Sequence, residues 1–180
     1  MTALIALLMP FTVAAERPHV HSSPYAGQEH RLIKSLSEED IAELESGGGW
    51  GLAKAAELNG LPGPSHVLKM RSELQLTAEQ EHKARDIFRK MRGEAVAEGK
   101  RLVAGEQALE SALRGRAIDH DNLREFLRRI EASRATLRYI HLSAHLDMMR
   151  VLSASQIARY NKLRGYSRRT ALPGTVFLPD

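Results

Sequence analysis

One five-residue phrase occurs twice in this chain, as Leu76-Thr77-Ala78-Glu79-Gln80 and as Leu152-Ser153-Ala154-Ser155-Gln156. Each copy is a helix start. The Thr or Ser hydroxyl can accept a backbone N–H from the first turn, and the Gln three residues on can reach back to the cap's own N–H. Leu152 and Ile157 add the spacing of a hydrophobic staple to the second copy. Leu36-Ser37-Glu38-Glu39-Asp40-Ile41 is a looser third version, with Asp where the others carry Gln. The interval between the two full copies has helical hydrophobic periodicity, so the phrases frame a helical hairpin and the fold class is all-α.

The first arm starts at Thr77 and places Ala84, Phe88, Met91, Ala95, Leu102, Leu109 and Leu113 at threes and fours, one buried helical stripe. It ends at Gly115. The second arm has Asp119 as its N-cap, with Ile118 and Leu123 as a staple. It is expected to bury Leu123, Phe126, Leu127, Ile130, Leu137, Ile140 and Ala144. A turn this short makes the arms antiparallel neighbours. Gly93, Gly99 and Gly105 each cost the first arm up to about 1 kcal/mol of helix propensity, so that arm is expected to be bent or close-packed.

Five segments are expected along the chain. Residues 1–15 read as a secretory signal: the apolar run Ala3 to Met9 is followed by Val13-Ala14-Ala15, small residues suited to cleavage, although no Lys or Arg precedes the run. A buried N-terminal helix is the other reading of this segment. The run is too short to span a bilayer, which takes about 20 apolar residues, so the mature chain is expected to have no transmembrane segment. Residues 16–24 are a linker carrying His19 and His21. Residues 25–74 form an N-terminal helical appendage with two short helical patterns before Glu45, a Gly47-Gly48-Gly49-Trp50-Gly51 break with Trp50 as a core anchor, and further helices from Leu52 and from Pro64 to about Glu73. Residues 75–166 are the hairpin with its last helix from Ser153. Residues 167–180 are a tail.

Composition narrows the function. At 180 residues the chain offers a core but no deep enzyme cleft, and it contains neither a nucleophile elbow nor a zinc-protease signature, so no enzyme is expected. The glycine run lacks the preceding strand and following Lys-Ser/Thr of a phosphate loop. A pI near 9.6 comes from basic residues interleaved with acids, a solvated face rather than a nucleic-acid stripe, and 5% aromatics leave little for base stacking. With no Cys there are no disulfides, thiolate ligands or Cys nucleophiles.

The paired Leu-Thr/Ser-x-x-Gln phrases, at Leu76, Thr77, Gln80 and Leu152, Ser153, Gln156, stand around a charged hairpin behind an apolar N-terminus. They resemble those of the LTxxQ superfamily of periplasmic stress proteins, which holds the Spy and CpxP chaperone-like proteins and the CnrX and ZraP type heavy-metal sensors. The resemblance covers roughly Leu74 to Tyr166. It implies a periplasmic location, a homodimer and a stress-response role. As an ATP-independent chaperone or envelope-stress modulator, the chain would have unfolded or membrane-associated clients, or a signalling partner. The alternative is a heavy-metal sensor or sequestering protein, and a structural adaptor is a third reading.

His141, His145, Met148 and Met149 are the candidate metal ligands. At 100° per residue His141 and Met148 fall near the centre of the buried stripe, His145 on its flank, and Met149 one turn beyond His145. Two imidazoles at i and i+4 suit zinc, nickel or cobalt, and thioether help favours copper. Sensors resembling CnrX use a His-x-x-x-Met pair that His145 and Met149 match. They also draw on a His-x-x-x-His pair in an earlier helix, which this chain lacks. With the turn centred near Ala117, His141 faces Met91, with Glu94 and Glu98 one or two turns away. The other reading makes His141 a hydrogen-bonded core histidine and the methionines packing. Leu142, Leu146 and Met149 widen the apolar arc, so this end is expected to be covered twice, by the N-terminal helices, the last helix or a second subunit.

Overall fold

The structure, a computed structural model, describes residues 23–166. The expected signal segment, most of the linker with His19 and His21, and the tail lie outside the described residues. The chain divides after His30 into two units. The described part of the first is a run of turns, in which the N–H groups of Ala26 and Gln28 donate to the carbonyls of Ser23 and Tyr25. The helix expected at the start of residues 25–45 does not form: Gly27 sits at φ +90°, outside any right-handed helix.

The second unit is all-α, with the order α1 Glu38–Glu45, α2 Lys54–Leu58, α3 Pro64–Lys69, α4 Ala78–Arg114, α5 His120–Val151 and α6 Ala154–Leu163. The caps fall where the sequence puts them. Ser37, Thr77 and Ser153 each close a full capping box, with Asp40, Gln80 and Gln156 as the third helical residue. Asp119 caps α5 by accepting the Asn122 N–H at 2.8 Å. The helix expected from Pro64 to about Glu73 stops at Lys69, and turns carry the chain on to Gln75, which takes φ +51°.

α4 and α5 pack against each other along an antiparallel hairpin, each more than 30 residues long. α1 lies on α4, and α3 touches both arms. Two apolar clusters result. Ile33, Leu36 and Leu44 of the N-terminal layer meet Ala95, Leu102, Ile130, Leu137 and Ile140 in the middle of the hairpin. At its base Val67, Leu74, Ala84, Met148, Leu152 and Tyr160 form a second cluster, which Ile157 joins from α6.

Gly99 is what brings α1 so close: a Cβ there would stand 2.1 Å from the Leu44 carbonyl oxygen. Gly105 likewise faces Ile130, at 3.1 Å, whereas Gly93 opens on nothing. Trp50 pins the same layer from the other end. Its indole N–H donates to Asp40 at 2.8 Å, its backbone N–H to Glu43 at 2.7 Å, and the Arg134 guanidinium lies 4.8 Å over its ring. Those contacts hold Trp50 at φ +41°, the left-handed region that a bulky residue avoids. Glu106, buried on α4, completes the attachment by accepting from Ser35 Oγ at 2.8 Å and from Arg134 at 3.3 Å. At the base, Glu57 accepts from Arg164 and Tyr166, tying the end of α6 to α2.

The expected burial fails at the tip. Leu113 and Leu127 are 50% and 44% exposed, although the segment before α1 reaches α4 near the tip, where Lys34 pairs with Glu110 and Arg114 donates to the Leu32 carbonyl. Arginines on the outer faces pair locally, as Arg128 and Arg129 do with Glu125, whose carboxyl they pull down to about 2. Among the described residues no helix is long and apolar enough to cross a membrane.

Candidate functional site

Between the two apolar clusters α5 carries His141 and His145, each only 4% exposed. They are one turn apart on the inner face, so both project beneath the N-terminal layer. His145 Nδ1 lies 2.9 Å from the Leu61 carbonyl oxygen. A carbonyl only accepts, so Nδ1 is the donor in this contact. The ring is seated against Gly63, where a Cβ would come within 2.8 Å of Cε1 and 3.1 Å of Nε2. Only glycine fits there.

His141 repeats the arrangement. Its ring makes a backbone hydrogen bond with Gly48, while its buried Nε2 has no partner. Burial pushes this imidazole below the ordinary histidine pKa, and the neighbouring His145 adds to the effect. The Gly48 bond and the Glu43 charge oppose it. The ring is therefore neutral near neutral pH. Both histidines line one cavity of about 340 Å³, with Met91 and Arg92 from α4, His66 from α3 and the Gly47-Gly48-Gly49 turn.

His66 lines the same cavity, with Nε2 3.3 Å from Glu57 Oε1. Burial and the Arg164 charge push its pKa down against the pull of Glu57. Burial alone would raise Glu57, but Tyr166, His66 and Arg164 hold its carboxyl below the ordinary range. Among the described residues no three His, Cys, Asp or Glu groups are placed to hold one ion.

The other expected donors lie elsewhere. Met148 is fully buried in the base cluster, and Met149 is 38% exposed and does not line the cavity. A residue four positions after His145 shares its face only approximately, and here the 40° difference turns Met149 to the outside. Met91 shares the cavity lining with His141 and also lines the groove that holds Glu94. Glu94 lines a groove on the opposite side with Tyr139 and Asp147, and Glu98 is paired with Arg101. The double cover expected over Leu142, Leu146 and Met149 is absent among the described residues: Leu146 is 54% exposed.

The paired motif has its own geometry. Gln80 and Gln156 exchange two hydrogen bonds of 2.9 Å, each amide donating to the other's carbonyl oxygen. Each oxygen also accepts its own cap's N–H, from Thr77 at 3.1 Å and from Ser153 at 2.9 Å. The amides donate further to the carbonyls of Val151 and Leu74, while Leu152 is buried beneath and Leu76 packs at the edge. The two helix starts are thus one clasp at the base of the hairpin. Sequence reasoning found each motif but not their contact. The available signal was the unused amide, since a capping box employs only the Gln oxygen.

Comparison with protein-family models, with curated proteins and with solved structures gives no match.

Proposed function

We propose that this chain is an exported stress-response protein of the LTxxQ type whose specific task is to bind a late first-row transition metal at His141 and His145, as a sensor or a sequestering protein. One observation carries the reading: two buried imidazoles a turn apart line one cavity, and each turns one nitrogen to a backbone carbonyl of the cover while Nε2 has no hydrogen-bond partner. Metal-ligating histidines are held this way, because the outer hydrogen bond fixes the tautomer and aims the ring. The Gln80–Gln156 clasp supports the superfamily resemblance, since it gives the repeated Gln a reason to be Gln in both copies.

The test is a thermal shift with zinc, nickel, cobalt or copper. Metal at a hundredfold over its dissociation constant adds about 2.7 kcal/mol of stability. The double variant His141→Gln and His145→Gln, shown to be helical by circular dichroism, loses that gain. An equal shift in wild type and variant refutes the assignment.

A chaperone role is the second reading. It is favoured by Tyr139, Leu146 and Met149, which stand exposed on α5 near Arg138 and Arg150. Light scattering of an aggregating client, with and without salt, tests it; the same α5 face is the surface on which a homodimer would be sought by sedimentation.

A further inference from the structure

Charge is placed unevenly along this chain. Residues 1–153 hold 21 Lys and Arg against 21 Asp and Glu, whereas residues 154–180 hold five against one. The whole net charge of +4 is therefore contributed by α6 and the sequence that follows it. On the hairpin, arginines are answered by acids three residues away, as in Arg124–Asp121, Arg128–Glu125 and Arg150–Asp147. α6 has no acidic residue, so the same neutralisation is impossible within it. Among the described residues Arg164 pairs with Glu57, while Arg159 and Lys162 pair with no acid.

These two cations stand beside an apolar groove. Ala154, Ile157, Ala158 and Leu163 line it with Arg159 and Lys162, around a space of about 1130 Å³. Leu163 is 46% exposed. α6 itself is fixed to the body of the protein: Tyr160 is buried in the base cluster, Asn161 donates to the Gly60 carbonyl at 3.1 Å, and Arg164 donates to Glu57 at 2.8 Å. The outer face is thus held ready, with little ordering left to do on binding. The negative end of the helix dipole accounts for a cation in the last turn, Lys162, but not for Arg159 in the middle of the helix or for the groove.

Cations flanking an exposed apolar helix face are the pattern of a helix that lies in a lipid interface. The sequence after Tyr166 repeats the combination, with Arg168 and Arg169 and then Val176-Phe177-Leu178. An acidic protein would answer the cations alone. The apolar groove and the apolar triplet call for an occupant that is anionic at its surface and hydrocarbon beneath, which is a bilayer. We propose that the outer face of α6, together with the basic sequence that follows it, is a docking surface for an anionic phospholipid bilayer, with lipid phosphates at Arg159 and Lys162 and acyl carbon in the groove. The protein lies on such a bilayer without crossing it, since among the described residues no helix is long and apolar enough to span one. The histidine cavity takes no part, so this docking is independent of the metal reading.

The experiment sediments the full chain with vesicles of phosphatidylglycerol and phosphatidylcholine, against pure phosphatidylcholine as the neutral surface. Binding to the anionic vesicles alone is expected. It should weaken as salt rises from about 0.1 to about 1 M, where the screening length falls from about 10 to about 3 Å. Each cation near an anionic surface is worth about fivefold in affinity, so Arg159→Gln with Lys162→Gln should cost roughly 25-fold. Arg124→Gln with Arg128→Gln removes the same charge from the hairpin tip and should leave binding nearly unchanged. Circular dichroism checks that each variant is folded. Because the chain has no Cys, Leu163→Cys provides one site for an environment-sensitive dye, whose emission should shift to the blue on anionic vesicles only. Equal binding to neutral vesicles, no loss in the α6 variant, or the same loss in both double variants overturns the proposal. A dye at position 163 that is shielded before vesicles are added and unmoved by them places the chain's own tail in the groove and overturns it as well. Binding to polyglutamate without binding to vesicles overturns it in favour of an acidic protein partner.

Discussion

Gly93 and Gly99 lie six residues apart in one helix, and replacing each by Ala should move stability in opposite directions. At Gly93 nothing lies within 4 Å of the new methyl, so the exchange keeps only the propensity gain, about 0.8–1 kcal/mol of stabilisation. At Gly99 the same gain meets a Cβ placed 2.1 Å from the Leu44 carbonyl oxygen and 2.8 Å from its carbonyl carbon. Backbone cannot swing aside as a side chain does. α1 must therefore retreat by roughly 1 Å to restore an ordinary contact, which opens the packing of Leu44, itself 1% exposed. Overpacking of this kind costs about 1–3 kcal/mol, and complete detachment adds the lost burial of Leu44, about 1.5–3 kcal/mol. The net expectation for Gly99→Ala is a loss of about 1–3 kcal/mol. Urea denaturation followed by far-ultraviolet circular dichroism measures both variants on one scale. If Gly99→Ala stabilises as much as Gly93→Ala, α1 does not lie on α4 where the structure has it.

Three further outcomes are expected. Gln80→Ala and Gln156→Ala should each cost about 1–3 kcal/mol, as partly buried partners are left unpaired. The double variant should cost less than the sum, and strict additivity in chemical denaturation would remove the clasp. Stability should fall with acid. His141 has a folded pKa below its unfolded value, so the unfolded chain takes up the proton first, and the stability present above about pH 6.5 is lost as pH falls through the folded value. His141→Gln should flatten part of that fall in denaturation midpoints, with His66 retaining a share. Trp50→Phe keeps a ring under Arg134 but deletes the donor to Asp40. Because hydrogen bonds from Ser37 and then the indole hold the Asp40 carboxyl down, its carbon-13 titration should move up in that variant; an unchanged titration refutes the contact.

The helix starts were legible because a cap is a local event. Ser37, Thr77, Asp119 and Ser153 each satisfy a backbone N–H within three residues, and sequence spacing alone specifies that. The hairpin register was legible for a related reason: a short turn fixes which parts of two regular arms lie side by side, and so Met91 and His141 line one cavity. Where the N-terminal layer would land was not legible. The stripe on α4 and α5 is apolar along its whole length, and docking at Gly99 rather than at the tip depends on a close backbone approach that the sequence records only as one glycine among three. The imidazole cage was half legible: the i, i+4 histidines were visible, but the carbonyls of Gly48 and Leu61 that orient them belong to turns whose path periodicity does not encode.

Gln80 and Gln156 stand 76 residues apart, so their exchange of hydrogen bonds closes the hairpin into a ring without a covalent bond. Closure entropy grows with the length of the ring, and the arms can zip from the five-residue turn at 115–119 long before the two motifs meet. The clasp is therefore a late event in folding. Contacts made after the rate-limiting step leave the folding rate alone and set how often the finished molecule opens. Loosening the clasp should thus shorten the lifetime of the closed base while refolding proceeds at its former speed.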